Sequence, residues 1–395
     1  QELYADEIVG PTRAGFRRWK SARIQFRNRI LKIESVSAKV LAKTPAKKRV
    51  KTLIPGLVDP HTHLIFGGDR SKEWEARLRG ETYQSIAKKG GGIAFTVKKT
   101  REQSSATLET IGLRRLQEWA NFGCTTIEIK SGYGLDLVSE LKTLRVIQNL
   151  KNKLPMQIFS TFMGAHKIPK GYTESQFIDE IIEKMLPQVA AHADFQDIFC
   201  ETGYFSEKQG ARLLDAGLRL GLKAKVHAHE FGRTGGVNLA VSKKAISADH
   251  LQYLNREDIL KLKKAKVVPV VLSGTSFFLG AKKFAPAREM FDAGLPVALA
   301  SDFNPGTNPG MNLPLVGTLA AIHQGLTLEE VLTAQTRNAA LALGVSDRGA
   351  FEPQYRADFV ALDTAGFETI YYHYGKSWVE RVFIGGQEFK TPIRF

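Results

Sequence analysis

The sequence predicts an α/β fold: a TIM-like (β/α)8 barrel with a small β-sandwich domain built from both chain termini. Three observations predict it. Strand-like and helix-like runs alternate through the middle of the chain, as the βα units of a parallel sheet do. Eight such strands fall within roughly 290 residues, a usual span for a closed barrel. Brief alternating strands lie outside that stretch, at both ends. The expected division is residues 1–54 with 350–395 for the sandwich and residues 55–349 for the barrel.

Length and composition agree with this. A chain of 395 residues with 43% hydrophobic and 24% charged residues can bury one large core and a satellite. No apolar run is long enough to span a membrane. The opening QELYADEIVG lacks the basic and then apolar pattern of a secretory signal. The only cysteines are Cys124 and Cys200, which suits a reducing compartment, so a cytoplasmic location is expected. Net charge is +16, and Glu34 is the only acid between Pro11 and Lys51. Such charge raises nucleic acid as a partner. No nucleic-acid motif or interleaved aromatic pattern accompanies it, so a solvated basic face is expected instead.

The elements follow in order. Near the start, Ala22 to Phe26 and Arg29 to Ile33 read as short strands. They are too few to be stable alone and are expected to pair with C-terminal strands at 358–362 and 379–384, the latter followed by Gly385-Gly386. The first barrel strand ends at His61 and His63. The others are expected at 125–130, 156–166, 194–201, 223–230, 245–250, 267–273 and 296–302, with amphipathic segments such as 108–122, 207–220 and 256–266 between them. The longest connection, 64–105, holds Arg70, Tyr83, Gly90-Gly91-Gly92 and Arg101. Connections this long are often functional, so a lid or substrate-binding loop is expected there.

In a barrel, catalytic groups sit at the C-terminal ends of strands. His61, His63, His166, His227, His229, His250 and Asp302 all occupy such ends; His192, His323 and His373 do not. In an extended segment residues i and i+2 share a face, so His61 and His63 can offer two imidazoles to one ion. With His227 and Asp302 they can complete an N/O ligand set with a position left for water. A divalent ion lowers the pKa of that water to about 7. Of His227 and His229, only one need be a ligand. Glu230 lies just beyond, where a carboxylate can shuttle protons. His250 can polarise a carbonyl or hold an oxyanion. Glu201 is an alternative ligand. Lys130 falls on the second strand, the wrong place for a lysine bridging two metals, so one metal is favoured.

These residues together resemble the amidohydrolase superfamily of metal-dependent hydrolase barrels, and within it the imidazolonepropionase family. The resemblance covers nearly everything from Ile54 onward. It rests on PGLVDPHTHLIFGGDR, the GGGI segment with Thr96 and Thr100-Arg101, IEIKSGYGL, FMGAH, HAHEFG, SADHL and SDFNPGT. The segment before Lys51 matches only loosely. The resemblance implies one divalent ion, zinc or iron, on His61, His63, His227 and Asp302. It implies hydrolysis of the ring amide of 4-imidazolone-5-propanoate to N-formimidoyl-L-glutamate in histidine degradation, and a homodimer. Residue chemistry suits that substrate. Arg70 offers a bidentate fork to a carboxylate tail. Tyr133, His166 and Tyr83 can bond the carboxylate or ring. Asn304, Gly306 and Thr307 can supply donors. Asp302 or His250 would accept the water proton, and Glu230 would bond the ring nitrogen. A related aminohydrolase that deaminates a small heterocycle is the alternative; it would use the same metal and Glu230 without needing the arginine.

Overall fold

The barrel strands are short and mostly buried, and the charged residues Glu128, Lys130 and Asp197 within them pair inside the barrel. The computed structural model describes residues 1–389, apart from the side chains of Tyr83, Gln84 and Ala87. Among these, the barrel strands are Leu57–Asp59, Cys124–Lys130, Gln157–Ala165, Phe195–Cys200, Lys223–Ala228, Ser247–His250, Val268–Val271 and Ala298–Leu299. They form an eight-stranded sheet in sequential order, all neighbours parallel. Two backbone hydrogen bonds, Asp302 N to His61 O (3.0 Å) and His63 N to Phe303 O (2.8 Å), join the residues beyond the last strand to those beyond the first. Helices between strands begin at side-chain caps. Ser104 caps Ser105–Asn121, Ser206 caps Glu207–Arg219, and Asn255 forms a capping box with Asp258 on Arg256–Ala265.

The strand expectations hold to within a few residues at each end, but the chain termini contain more strand than the sequence suggested. A seven-stranded sheet runs in the order Gln387–Phe389, Val379–Ile384, Phe359–Leu362, Arg49–Pro55, Glu2–Thr12, Gly15–Phe26 and Ile30–Ser35. Glu2–Thr12 and Arg49–Pro55 escaped notice because ELYADEIVGPT carries three acids and a proline, and RVKTLIP runs straight into the barrel's opening motif. The sheet curls on itself. Phe26, near one edge, meets Phe359 and Phe383 with ring centroids 4.9 and 5.9 Å apart. That closure gives the terminal sheet a core of its own, with Ile8, Ile24 and Leu53 buried in it. Part of the basic charge is paired here: Arg18 with Glu368 (2.6 Å), Arg49 with Asp6 (2.8 Å) and Lys51 with Asp363 (2.7 Å).

The handover from sheet to barrel is tight. A Cβ at Gly56 would stand 2.2 Å from Thr125 Oγ1, so only glycine fits between Pro55 and the first barrel strand. The connection after that strand is not an open loop. It folds into three helices, Ser71–Leu78, Tyr83–Lys88 and Ile93–Glu102, and Gly92 (φ +73°) is the N-cap of the third. Their short lengths and broken apolar pattern hid them from periodicity.

Candidate active site

The strand ends bend sharply at the barrel mouth. His229, His250 and Asp302 have φ of +56°, +77° and +52°, backbone strain of the kind that clusters at functional sites. The bends converge buried histidines. The His61 ring centroid lies 5.4 Å from that of His63, 4.5 Å from His227 and 5.7 Å from His250. Asp302 Oδ1 is 3.4 Å from His61 Nε2 and 3.6 Å from His63 Nε2. Among the described residues, two overlapping groups have metal-binding geometry: His61, His63 and Asp302, and His61, His227 and His250. His61 is common to both, and His227 groups more closely with His250 than with His63.

The donor chemistry suits a cation. His61 Nε2 is buried and has no hydrogen-bond partner, while its Nδ1 lies 2.6 Å from Asp249 Oδ2. With Asp249 accepting from Nδ1–H, the lone pair rests on Nε2 and points into the cluster. Burial holds His61 and His63 well below the usual imidazole range, assisted by the Lys130 charge at His61 and by His166 at His63. Both are therefore neutral imidazoles, the form that a metal ligand requires. Burial raises the Asp302 carboxyl to about 6, against a hydrogen bond from Thr275 Oγ1 to its Oδ2 (2.7 Å).

A layer of charge lies beneath this cluster, and sequence reading missed it. Glu128, Lys130, Asp197, Lys225 and Asp249 are all buried inside the barrel. Lys130 Nζ is 2.8 Å from both Glu128 Oε1 and Asp197 Oδ2 and 3.8 Å from Asp249 Oδ2. Lys225 Nζ donates to Pro60 O at 2.7 Å, directly under the His61 turn. Burial opposes the Lys130 charge, but Asp197, Glu128 and Asp249 outweigh it and raise its pKa. Lys130 is thus held by carboxylates, not placed as a metal bridge. Asp197 Oδ2 approaches His227 Nδ1 to 3.0 Å; the approach is short but off-line, an electrostatic contact rather than an aligned hydrogen bond. The signal was present as acids inside strand-like runs, FQDIFC and SADH. Asp59 of the opening motif is structural too: it accepts from Trp119 Nε1 (3.0 Å) and Ser301 N (3.1 Å), pinning the first strand to the last.

Above the cluster is a cavity of about 370 Å³. Its wall includes His63, Arg70, Tyr133, His166, His227, Glu230, His250, Asp302, Asn304 and Thr307, all named from sequence. Arg77, Phe199, Tyr204 and Phe231 were not; they come from the helical connection, the fourth strand and the loops after the fourth and fifth strands. The side chain of Tyr83 lies outside the described residues. His166 stacks on His63 (5.0 Å, 19°) and its Nδ1 is 3.0 Å from Gly132 O; burial, then the His227 charge, lowers its pKa to about 3. Burial, Asp302 and Glu201 push the Glu230 carboxyl well up, and its Oε2 is 3.6 Å from His250 Nε2.

The structure gives partners to three other groups named from sequence. The backbone N–H groups of Gly306 and Thr307 already donate to Asn304 Oδ1, each at 2.8 Å, and Asn304 Nδ2 donates to Asp302 O and Thr307 Oγ1. These N–H groups are satisfied within the turn, and Asn304 Nδ2 braces Asp302. Glu201 accepts from Thr202 N and Phe231 N and stands in neither metal-binding group. His229 is buried but also outside those groups, its Nδ1 3.9 Å from Asp258.

Comparison with known proteins identifies the family. The model of the amidohydrolase family matches residues 76–370. An imidazolonepropionase of Geobacillus kaustophilus is 44% identical over 342 residues, covering 85% of this chain and 80% of the relative. One of Symbiobacterium thermophilum is 46% identical over 340 residues, with the same coverage of 85% and 80%. Among solved structures, a 5-methylcytosine deaminase from Klebsiella pneumoniae superposes with a TM-score of 0.77 over 100% of this chain and 99% of that one, at 16% identity. An adenosine deaminase from Xanthomonas campestris with bound zinc gives 0.72 over 98% and 92%, also at 16%. Those two show the shared fold. The chain belongs to the amidohydrolase family, and within it to the imidazolonepropionases.

Proposed function

We propose that the chain hydrolyses the ring amide of 4-imidazolone-5-propanoate to N-formimidoyl-L-glutamate, using one divalent ion, zinc or iron, held by His61, His63, His227 and Asp302. The observation that carries the substrate assignment is Arg70 in the wall of the cavity that also holds the histidine cluster. A carboxylate tail and a hydrolysable ring can thereby be held in one pocket. The imidazolonepropionase relatives support the same reading.

A divalent ion bound there supplies Lewis acidity and activates a water molecule. The chain's own groups do the rest. Asp302, with its pKa near 6, is ionised at neutral pH and takes the proton of the attacking water. Burial keeps His250 neutral, and its imidazole can donate to the carbonyl oxygen as negative charge grows there. The environment of Glu230 favours its protonated form, which can deliver a proton to the leaving ring nitrogen. Water adds to the carbonyl carbon, the carbon–nitrogen bond breaks, and the carbon leaves as a carboxylate. Tyr133 and His166 confine the ring and tail. The family resemblance supports a cytoplasmic homodimer as the working form.

The test is loss of imidazolone absorbance on adding metal-loaded protein, with Arg70→Ala beside it. Arg70→Ala should raise KM on the order of a hundredfold. Undiminished turnover of the propanoate by that variant would remove the carboxylate clamp from the scheme.

A further inference from the structure

Arg70 does not stand alone in the cavity wall. It immediately precedes the helix Ser71–Leu78, and Glu73 lies one turn along. Both side chains are about nine-tenths buried, with exposures of 10% and 11%. Glu73 Oε1 pairs with Arg70 Nη2, and Glu73 Oε2 accepts from Arg70 Nε at 3.0 Å and from Gly92 N at 2.7 Å. A guanidinium has a side edge, Nε with one Nη, and an end edge formed by both Nη atoms. Glu73 occupies the side edge, leaving the end edge as the bidentate face for a second carboxylate.

Gly306 provides the seat. A Cβ there would stand 2.3 Å from Arg70 Nη1 and 2.8 Å from Cζ, so no larger residue fits while the guanidinium keeps this place. Arg77 Nη1 donates to Gly306 O at 3.3 Å and adds a second positive charge to the wall. A surface helix pair at this spacing is ordinarily solvated and interchangeable. This one is buried, is bonded to a third element through Gly92, and has the backbone cleared for it at Gly306.

We propose that Glu73 is a positioning residue for substrate choice: it fixes the Arg70 guanidinium on the Gly306 seat so that its end edge meets the substrate's carboxylate. The inference rests on the reading of Arg70 as the carboxylate clamp and gives that clamp its geometry. Pre-organised in this way, Arg70 loses little side-chain freedom when the substrate docks.

The test uses the metal-loaded full chain with two variants, Glu73→Gln and Gly306→Ala, and with Arg70→Ala as reference. Dissociation constants are measured by calorimetry for 3-(imidazol-4-yl)propanoate and for 4-ethylimidazole, which lacks the carboxylate; KM and kcat are measured for 4-imidazolone-5-propanoate. Each of the two variants should weaken propanoate binding and raise KM about tenfold, with kcat within about twofold and 4-ethylimidazole affinity within about twofold. Tighter propanoate binding by Glu73→Gln would mean that Glu73 competes with substrate, overturning the proposal. Equal weakening of both probes would do the same, because general loosening of the pocket then explains the effect. If Arg70→Ala leaves propanoate affinity intact, the clamp reading itself fails. If Arg70→Ala weakens it while Glu73→Gln and Gly306→Ala do not, only the role of Glu73 fails.

Discussion

His61 Nδ1 stands 2.6 Å from Asp249 Oδ2, with both side chains fully buried inside the barrel. This contact sets which nitrogen of His61 carries hydrogen, and therefore which one is left with a lone pair facing His63, His227 and Asp302. Asp249→Asn keeps the size and one acceptor but removes the charge that makes the imidazole a better ligand. It should weaken zinc affinity about 10–100-fold. Competition with a fluorescent chelator measures this directly, and wild-type affinity in the variant would show that Asp249 serves only the packing.

Metal removal should act on both activity and stability. Binding to the folded state alone raises unfolding free energy by mass action, about 2.7 kcal/mol when the ion is at a hundred times its Kd. Dialysis against a strong chelator should therefore abolish turnover of the imidazolone and lower Tm, and zinc or iron should restore both. Elemental analysis of the protein as purified identifies the native ion. A chelated, metal-free protein with full turnover would sink the proposed scheme.

The histidine cluster was legible in the sequence because its parts obey simple spacings. His61 and His63 share a strand face, and His227, His250 and Asp302 fall where strand-like runs end. Barrel topology then forces those ends together. The layer below was hidden for the opposite reason. Asp197, Asp249, Lys130 and Lys225 lie on separate strands, with no local pattern linking them, and only the closed barrel makes them neighbours. Asn304 was opaque in a third way. Polar residues after a strand suggest donors for a ligand, yet this turn satisfies its own N–H groups. Local sequence does not show whether a donor is already committed.

In the proposed scheme Glu230 carries a proton to the leaving nitrogen. It lines the cavity, is nearly fully buried, and lies 3.6 Å from His250. Glu230→Gln preserves shape and hydrogen bonding but cannot transfer a proton. Its kcat for the imidazolone should fall about 10²–10⁴-fold, with KM changed far less. A kcat within a few-fold of wild type would assign proton delivery to another group.

Lys130 tests whether the charge layer is needed to support the site. Its ammonium is fully buried and faces Glu128 and Asp197 at 2.8 Å each, with Asp249 at 3.8 Å. Removing it leaves these carboxylates without their shared counter-charge in a low-dielectric interior. Lys130→Met keeps the aliphatic length, so little of its effect comes from a cavity. Breaking a buried ionic network in this way costs about 3–5 kcal/mol, which urea unfolding of the metal-loaded protein should read as a lower midpoint at unchanged slope. Adding Asp197→Asn to Lys130→Met removes one of the stranded charges. The double variant should then recover stability relative to Lys130→Met, giving a non-additive cycle. Strict additivity of the two changes would mean that Lys130 and Asp197 are not energetically coupled despite their 2.8 Å separation.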